Sequence, residues 1–141
     1  TLQQSHYSEP HVWNKEAPAV KKMMRTPNTY GYFTATYTPI KPLSIALSGT
    51  YTGSMLVPHE PVPGFLENPI TVNTKDFFDI GLKAAYDFKL YKSMNLQINA
   101  GIQNIFNAYQ DDFDKGADRD SGYIYGPSLP RSFFAGVKIS Y

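Results

Sequence analysis

The chain contains no cysteine, a single tryptophan and three histidines, and its net charge is only +1 over 141 residues. Without cysteine it can form neither disulfides nor thiolate metal sites, and the compartment stays undetermined because many exported bacterial proteins lack cysteine too. The near-neutral balance, with no cluster of Lys or Arg, removes the electrostatic case for nucleic acid. No apolar run approaches the roughly 18 residues of a membrane-crossing helix, so a helical membrane protein is excluded. A polar average does not exclude a barrel, because barrel strands alternate and average out as polar. What the chain does have is aromatic: 11 Tyr and 9 Phe. Tyrosine suits places where a ring is apolar at one edge and wet at the other.

Helical periodicity is nearly absent. Segments alternate with period two, and clusters of Gly, Pro, Asn and Asp separate them. Six candidate strands follow: a short stub over 2–7, then 30–38, 43–55, 76–88, 93–106 and a terminal strand over 131–141. In the fourth, Phe78, Ile80, Leu82, Ala84, Tyr86 and Phe88 oppose Asp79, Lys83 and Asp87. In the fifth, Met94, Leu96, Ile98, Ala100 and Ile102 oppose Asn95, Gln97, Asn99 and Gln103. The apolar face of the second is left open, because Tyr30 and Tyr32 sit on its threonine side. Several segments exceed the roughly 5–6 residues of a globular strand and approach the roughly 9–11 of a tilted strand crossing a bilayer. Alternation alone fits a soluble antiparallel sheet equally well.

The connections discriminate further. Only "PIKP" separates the second and third strands, and only "KLYK" the fourth and fifth, whereas the other three connections are long. Every short turn then falls at one end of the sheet and every long loop at the other, as in outer-membrane barrels. Soluble domains rarely carry several structureless loops of such length. The same parity puts Tyr141 at the short-turn end, where a terminal aromatic suits an interfacial girdle. The opening "TLQQSHYSEPHVW" carries neither a start methionine nor a signal peptide, and reads as a fragment or a processed product.

Three stretches carry a family resemblance: "YTGSMLVPH", "GIQNIFNAYQDDFDKGADRDSGYIYGPSLPR" and the terminal strand. They resemble the C-terminal end of TonB-dependent outer-membrane receptors, particularly the Bacteroidetes type. "NIFN", a long loop, "YGP…PR" and a last strand form that family's closing pattern, although Tyr141 stands where Phe is commoner. The resemblance implies an all-β fold, with residues 1–141 as one C-terminal segment of an antiparallel transmembrane β-barrel. That segment would supply about six strands of a plugged barrel of about 22. It also implies a cell outer-membrane location and import of a scarce nutrient such as a ferric siderophore, haem, cobalamin or a glycan. The implied partners are outer-membrane lipid, the remaining strands and plug, the TonB–ExbB–ExbD complex through an N-terminal portion, the nutrient itself and a surface lipoprotein. Six strands cannot close such a barrel, so both lateral edges would want neighbours. The alternatives are a passive porin-like or adhesin barrel and a soluble β-sandwich binding module.

Candidate chemistry is sparse. The loop "DDFDKGADRDS" gathers Asp112, Asp114, Asp118 and Asp120, a faint calcium-loop pattern that lacks the closing acid, since the twelfth position from Asp112 is Tyr123. A solvated structural turn is the plainer reading. His59, in a proline-rich loop, could ligate haem iron or a metal, although such histidines are more often structural. Tyr51, Tyr109, Tyr123 and Tyr125 are placed for ligand contact in exterior loops. Asp79, Lys83 and Asp87 lie on one face roughly 13 Å apart and read as partners for a plug or neighbouring strands. No Ser/His/Asp set, phosphate-cradling glycine loop or paired acid–base carboxylates appear, so neither enzyme activity nor a cofactor is expected.

Overall fold

A computed structural model of the chain describes residues 1–91 and 93–141; Lys92, the last residue of the expected "KLYK" turn, lies outside them. The fold is all-β, with antiparallel sheets and none closed into a barrel. Among the described residues nine strands occur in order: β1 (His6–His11), β2 (Val20–Lys22), β3 (Tyr30–Ile40), β4 (Leu43–Thr52), β5 (Leu56–His59), β6 (Ile70–Asn73), β7 (Phe77–Lys89), β8 (Asn95–Gln103) and β9 (Ser132–Ser140). They form a five-stranded sheet in the order β3-β4-β7-β8-β9 and two separate ladders, β1-β2 and β5-β6.

The main sheet has five strands, not six. The stub expected over 2–7 is not a wall strand: Leu2 makes an isolated bridge to Thr29, and the nearby strand β1 pairs only with β2. β3 runs past Pro39, which a sequence reading takes for the start of a turn. Proline lacks the N–H that an inner strand needs, but β3 is an outer strand, where that donor is dispensable. The turn after β7 is closed by Leu90 N–H donating to the Met94 carbonyl at 3.0 Å.

Register gives the sheet two distinct faces. Directly paired residues project to the same side, so β7, β8 and β9 set out four rows of three: Leu82–Ile102–Phe133, Ala84–Ala100–Ala135, Tyr86–Ile98–Val137 and Phe88–Leu96–Ile139. All twelve are apolar or aromatic. The opposite rows are Lys83–Gly101–Phe134, Ala85–Asn99–Gly136, Asp87–Gln97–Lys138 and Lys89–Asn95–Ser140. On that side Gln97 Nε2 donates to Asp87 at 2.8 Å, and a hollow of about 200 Å³ opens beside Ser48, Gly81, Lys83 and Phe134. The phenyl ring of Phe33 lies over Gly49, whereas Ser48 lies beside Gly81 on the polar side. This resolves the question left by β3: Phe33, Ala35 and Tyr37 share the apolar face, and the threonines point the other way.

The apolar face is not covered. Leu82, Ile98 and Val137 are 39%, 46% and 66% exposed. Asn95 pairs with Ser140, which brings the end of β9 beside the short β7–β8 turn, as the parity predicts.

Contacts divide the chain into two compact units. The first comprises Thr1–Gly31, Tyr51–Phe77 and Tyr109–Ser128; the second comprises Tyr32–Thr50, Phe78–Ala108 and Leu129–Tyr141. The second holds most of the main sheet together with the "NIFN" motif, and it shows why that motif needs asparagine twice. Asn104 and Asn107 both adopt left-handed backbone, at φ 49° and 53°, which asparagine tolerates better than most residues. Asn104, 2% exposed, donates from Nδ2 to the carbonyls of Ala108 and Leu129 at 2.8 and 3.0 Å, and accepts from Ala108 N–H at 2.8 Å. Asn107 Oδ1 accepts from Arg131 N–H at 2.9 Å. The two amides thus tie the departure of the long β8–β9 connection to its return.

Candidate functional site

The long connections are not structureless, and the first unit is built from them. β5 pairs with β6 from Leu56↔Asn73 to His59↔Ile70, and Met24 bridges to Leu56. Short apolar side chains close this core: Leu56, Val57, Val62 and Phe77 are all buried. Thr74 secures the strand entry, its hydroxyl accepting from Met55 N–H at 3.0 Å while its own N–H reaches the Met55 carbonyl at 2.9 Å. β5 thereby fixes the position of His59.

Around His59 the structure gathers most of the residues singled out from sequence. Its ring lies flat on Tyr123, with centroids 3.8 Å apart and planes 6° from parallel. Its Nε2 shares a hydrogen bond of 2.8 Å with Asp114. Tyr123 meets Tyr125 edge-on at 5.4 Å, and Tyr125 in turn packs near Phe77 at 5.9 Å. Both phenols donate to one carboxylate, Tyr123 to Asp112 at 2.7 Å and Tyr125 to Asp112 at 2.6 Å.

Sequence reasoning passed over two residues that hold this cluster together. Gln110, 1% exposed, donates from Nε2 to the Tyr123 carbonyl at 3.0 Å and accepts from Tyr125 N–H at 2.9 Å, so one amide mimics a backbone bridge. Arg25 adopts left-handed backbone, at φ 54°, and donates to the carbonyls of Gly122 and Ile124 at 2.6 and 3.3 Å. A lone Gln beside a Tyr, or a lone Arg far upstream, carries no pattern in sequence that would mark either.

The electrostatics follow from this packing. Burial, then the Asp112 carboxylate, pushes both Tyr123 and Tyr125 well above the ordinary tyrosine value of 10.0. For Asp112 burial is the largest single influence and acts upward, but hydrogen bonds from Tyr125, Tyr123 and Gln110 together hold its carboxyl below 3.8. Lys75 and Asp111 form an exposed ion pair at 2.9 Å, which shifts Lys75 up and Asp111 down and contributes little to stability.

In this geometry most carboxylates of the acidic loop already have protein donors. Among the described residues no three His, Cys, Asp or Glu side chains converge to hold a metal ion. Asp112 serves two phenols and Asp114 serves His59. Asp120 accepts from the N–H groups of Gly122 and Glu60 at 2.8 and 3.0 Å. Asp118 is exposed and stays outside the network. Tyr109 is also exposed and stands apart from the aromatic cluster, whereas Tyr51 donates to Asp76 at 3.1 Å. Chemically the arrangement is a hydrogen-bonded clamp. Among the described residues no hydroxyl nucleophile is hydrogen-bonded to His59.

Compared with protein-family models, curated proteins and solved structures, the chain matches none.

Proposed function

We propose that the chain forms part of the wall, with exterior loops, of a TonB-dependent outer-membrane receptor that imports a scarce nutrient. The observation that carries this reading is the four-row apolar face of β7, β8 and β9, left open to its surroundings opposite rows that mix Lys, Asp, Asn, Gln and Ser with Gly, Ala85 and Phe134. An antiparallel sheet in water hides such a face beneath a second layer. A barrel wall turns it toward lipid and keeps polar groups inside. Strand lengths of ten, thirteen, nine and nine residues in β4, β7, β8 and β9 suit a tilted crossing. Wall strands would supply the lipid-facing area, and the clamped loops would shape the entrance. The residues that couple transport to energy belong to a plug and TonB box that this segment does not contain.

Cysteine substitution in the full receptor tests the reading. Ile98→Cys and Val137→Cys should react with membrane-partitioning reagents and resist water-soluble ones, whereas Asn99→Cys and Lys138→Cys should do the reverse. Equal reaction with the water-soluble reagent at all four positions would sink the proposal. Uptake that persists when the proton-motive force is collapsed would identify a passive barrel instead.

A further inference from the structure

The first unit also contains a cavity that nothing above uses. It encloses about 220 Å³ and is lined by Gln3, Gln4, Ser5, His6, Lys22 and Asn28, with Thr26 and Pro27 completing the wall. A second hollow of about 400 Å³ shares Gln3, Gln4 and Asn28 with it. The larger of the two falls in the range of a small-molecule site, roughly 300–1,000 Å³. The walls are tied by backbone bonds: Gln3 N–H to the Asn28 carbonyl and Met23 N–H to the Ser5 carbonyl, each 2.9 Å. Gln3 Nε2 donates to the Pro27 carbonyl at 2.9 Å, which fixes the amide and leaves its oxygen available.

The charge of this lining is one-sided. It includes no Asp or Glu. His6 and Lys22 are direct cross-strand partners in the β1-β2 ladder, so their side chains rise from the same face about 5 Å apart at Cβ. Lys22 is half-buried and forms no ion pair among the described residues. Lys22, paired in register with the exposed His6 and with no acid in the lining, gives the cavity a cationic side that suits an anion. The amides of Gln3, Gln4 and Asn28 in the same lining offer both donors and acceptors, the combination that reads hydroxyl groups.

We infer that this cavity binds a small polyhydroxylated carboxylate, with its carboxylate at Lys22 and His6 and its hydroxyls at Gln3, Gln4 and Asn28. A neutral sugar of the same shape would displace water from the ammonium without replacing its charge, and a bare anion would leave the amides unused. The site lies wholly within the first unit and does not depend on the membrane reading.

Titration calorimetry on the purified full-length protein tests it with D-glucuronate, D-glucose and inorganic phosphate as probes. Glucuronate should bind more tightly than phosphate, and glucose should give no measurable heat. Lys22→Met should weaken glucuronate by about tenfold or more. Gln4→Leu, at an exposed position, should weaken glucuronate several-fold and leave phosphate unchanged. Glucose binding as well as glucuronate overturns the inference, as does glucuronate affinity that is unchanged in Gln4→Leu.

Discussion

The imidazole of His59 rests face to face on the phenol ring of Tyr123, 3.8 Å between centroids, although the two lie 64 positions apart in the sequence. That stack joins the end of β5 to the returning arm of the acidic loop. His59→Ala removes the stack and the bond to Asp114 together. It should cost about 1–3 kcal/mol, read from denaturant unfolding. Amide hydrogen exchange should quicken through residues 110–125 before it changes in β8. Uniform quickening across the chain would show that the stack has no local role.

Two phenols on one carboxylate make Tyr123 and Tyr125 energetically dependent on each other. Tyr123→Phe and Tyr125→Phe should each cost about 1 kcal/mol, and the double variant should depart from their sum by at least about 0.5 kcal/mol. A double-mutant cycle that closes to zero would show that the two hydroxyls act independently.

Acid and alkali should act on this cluster from opposite sides. Asp112 is held below 3.8, so its stabilising contribution is present above pH 3.8 and is lost as pH falls through its folded value. Tyr123 and Tyr125 are raised above 10.0, so theirs is complete below pH 10.0 and is lost as pH climbs toward their folded values. Unfolding measured across pH should show a plateau between those limits. Asp112→Asn should let both tyrosines ionise at lower pH, seen as tyrosinate absorbance, without restoring the ordinary value, because burial remains.

Asn104→Ala should be among the most damaging polar substitutions in the second unit. It deletes three hydrogen bonds at a buried position and places alanine at φ 49°. A loss of about 2–4 kcal/mol is expected, checked by denaturant midpoint. Asn104→Gly relieves the backbone but not the bonds, so it should recover only a fraction. Full recovery by glycine would mean that the amide does nothing.

Gly49 and Gly101 should respond differently to alanine. A methyl group at Gly49 would meet only the ring of half-exposed Phe33, which can swing away. At Gly101 it would strike both the Phe134 ring and, at 2.6 Å, the Leu82 backbone carbonyl, which cannot. Gly101→Ala should cost about 1–3 kcal/mol, with little relief from Phe134→Ala. Phe33→Leu should rescue Gly49→Ala. Equal rescue at both sites would contradict the register described for β7 and β8.

The alternating faces of β7, β8 and β9 were readable because period two survives over nine residues or more. The ends were less readable. β8 stops at Gln103 because Asn104 turns left-handed, a conformational fact that the letters "QNIF" do not announce. β1, β2, β5 and β6 were hidden for another reason: they are three to six residues long, and Pro10 and Pro58 sit inside two of them. Such pieces are held by tertiary partners rather than by their own periodicity. The site was legible as a residue list and not as a network. His59, Asp112, Asp114, Tyr123 and Tyr125 were each singled out, yet their pairing depends on Gln110 and Arg25, whose roles emerge only once distant segments meet.

The outermost ribs of the main sheet are not equivalent. β3 carries Pro39, which has no amide hydrogen to offer an incoming ribbon, whereas β9 contains no proline from Ser132 to Ser140. An added strand would find an unbroken run of backbone donors and acceptors along the β9 flank.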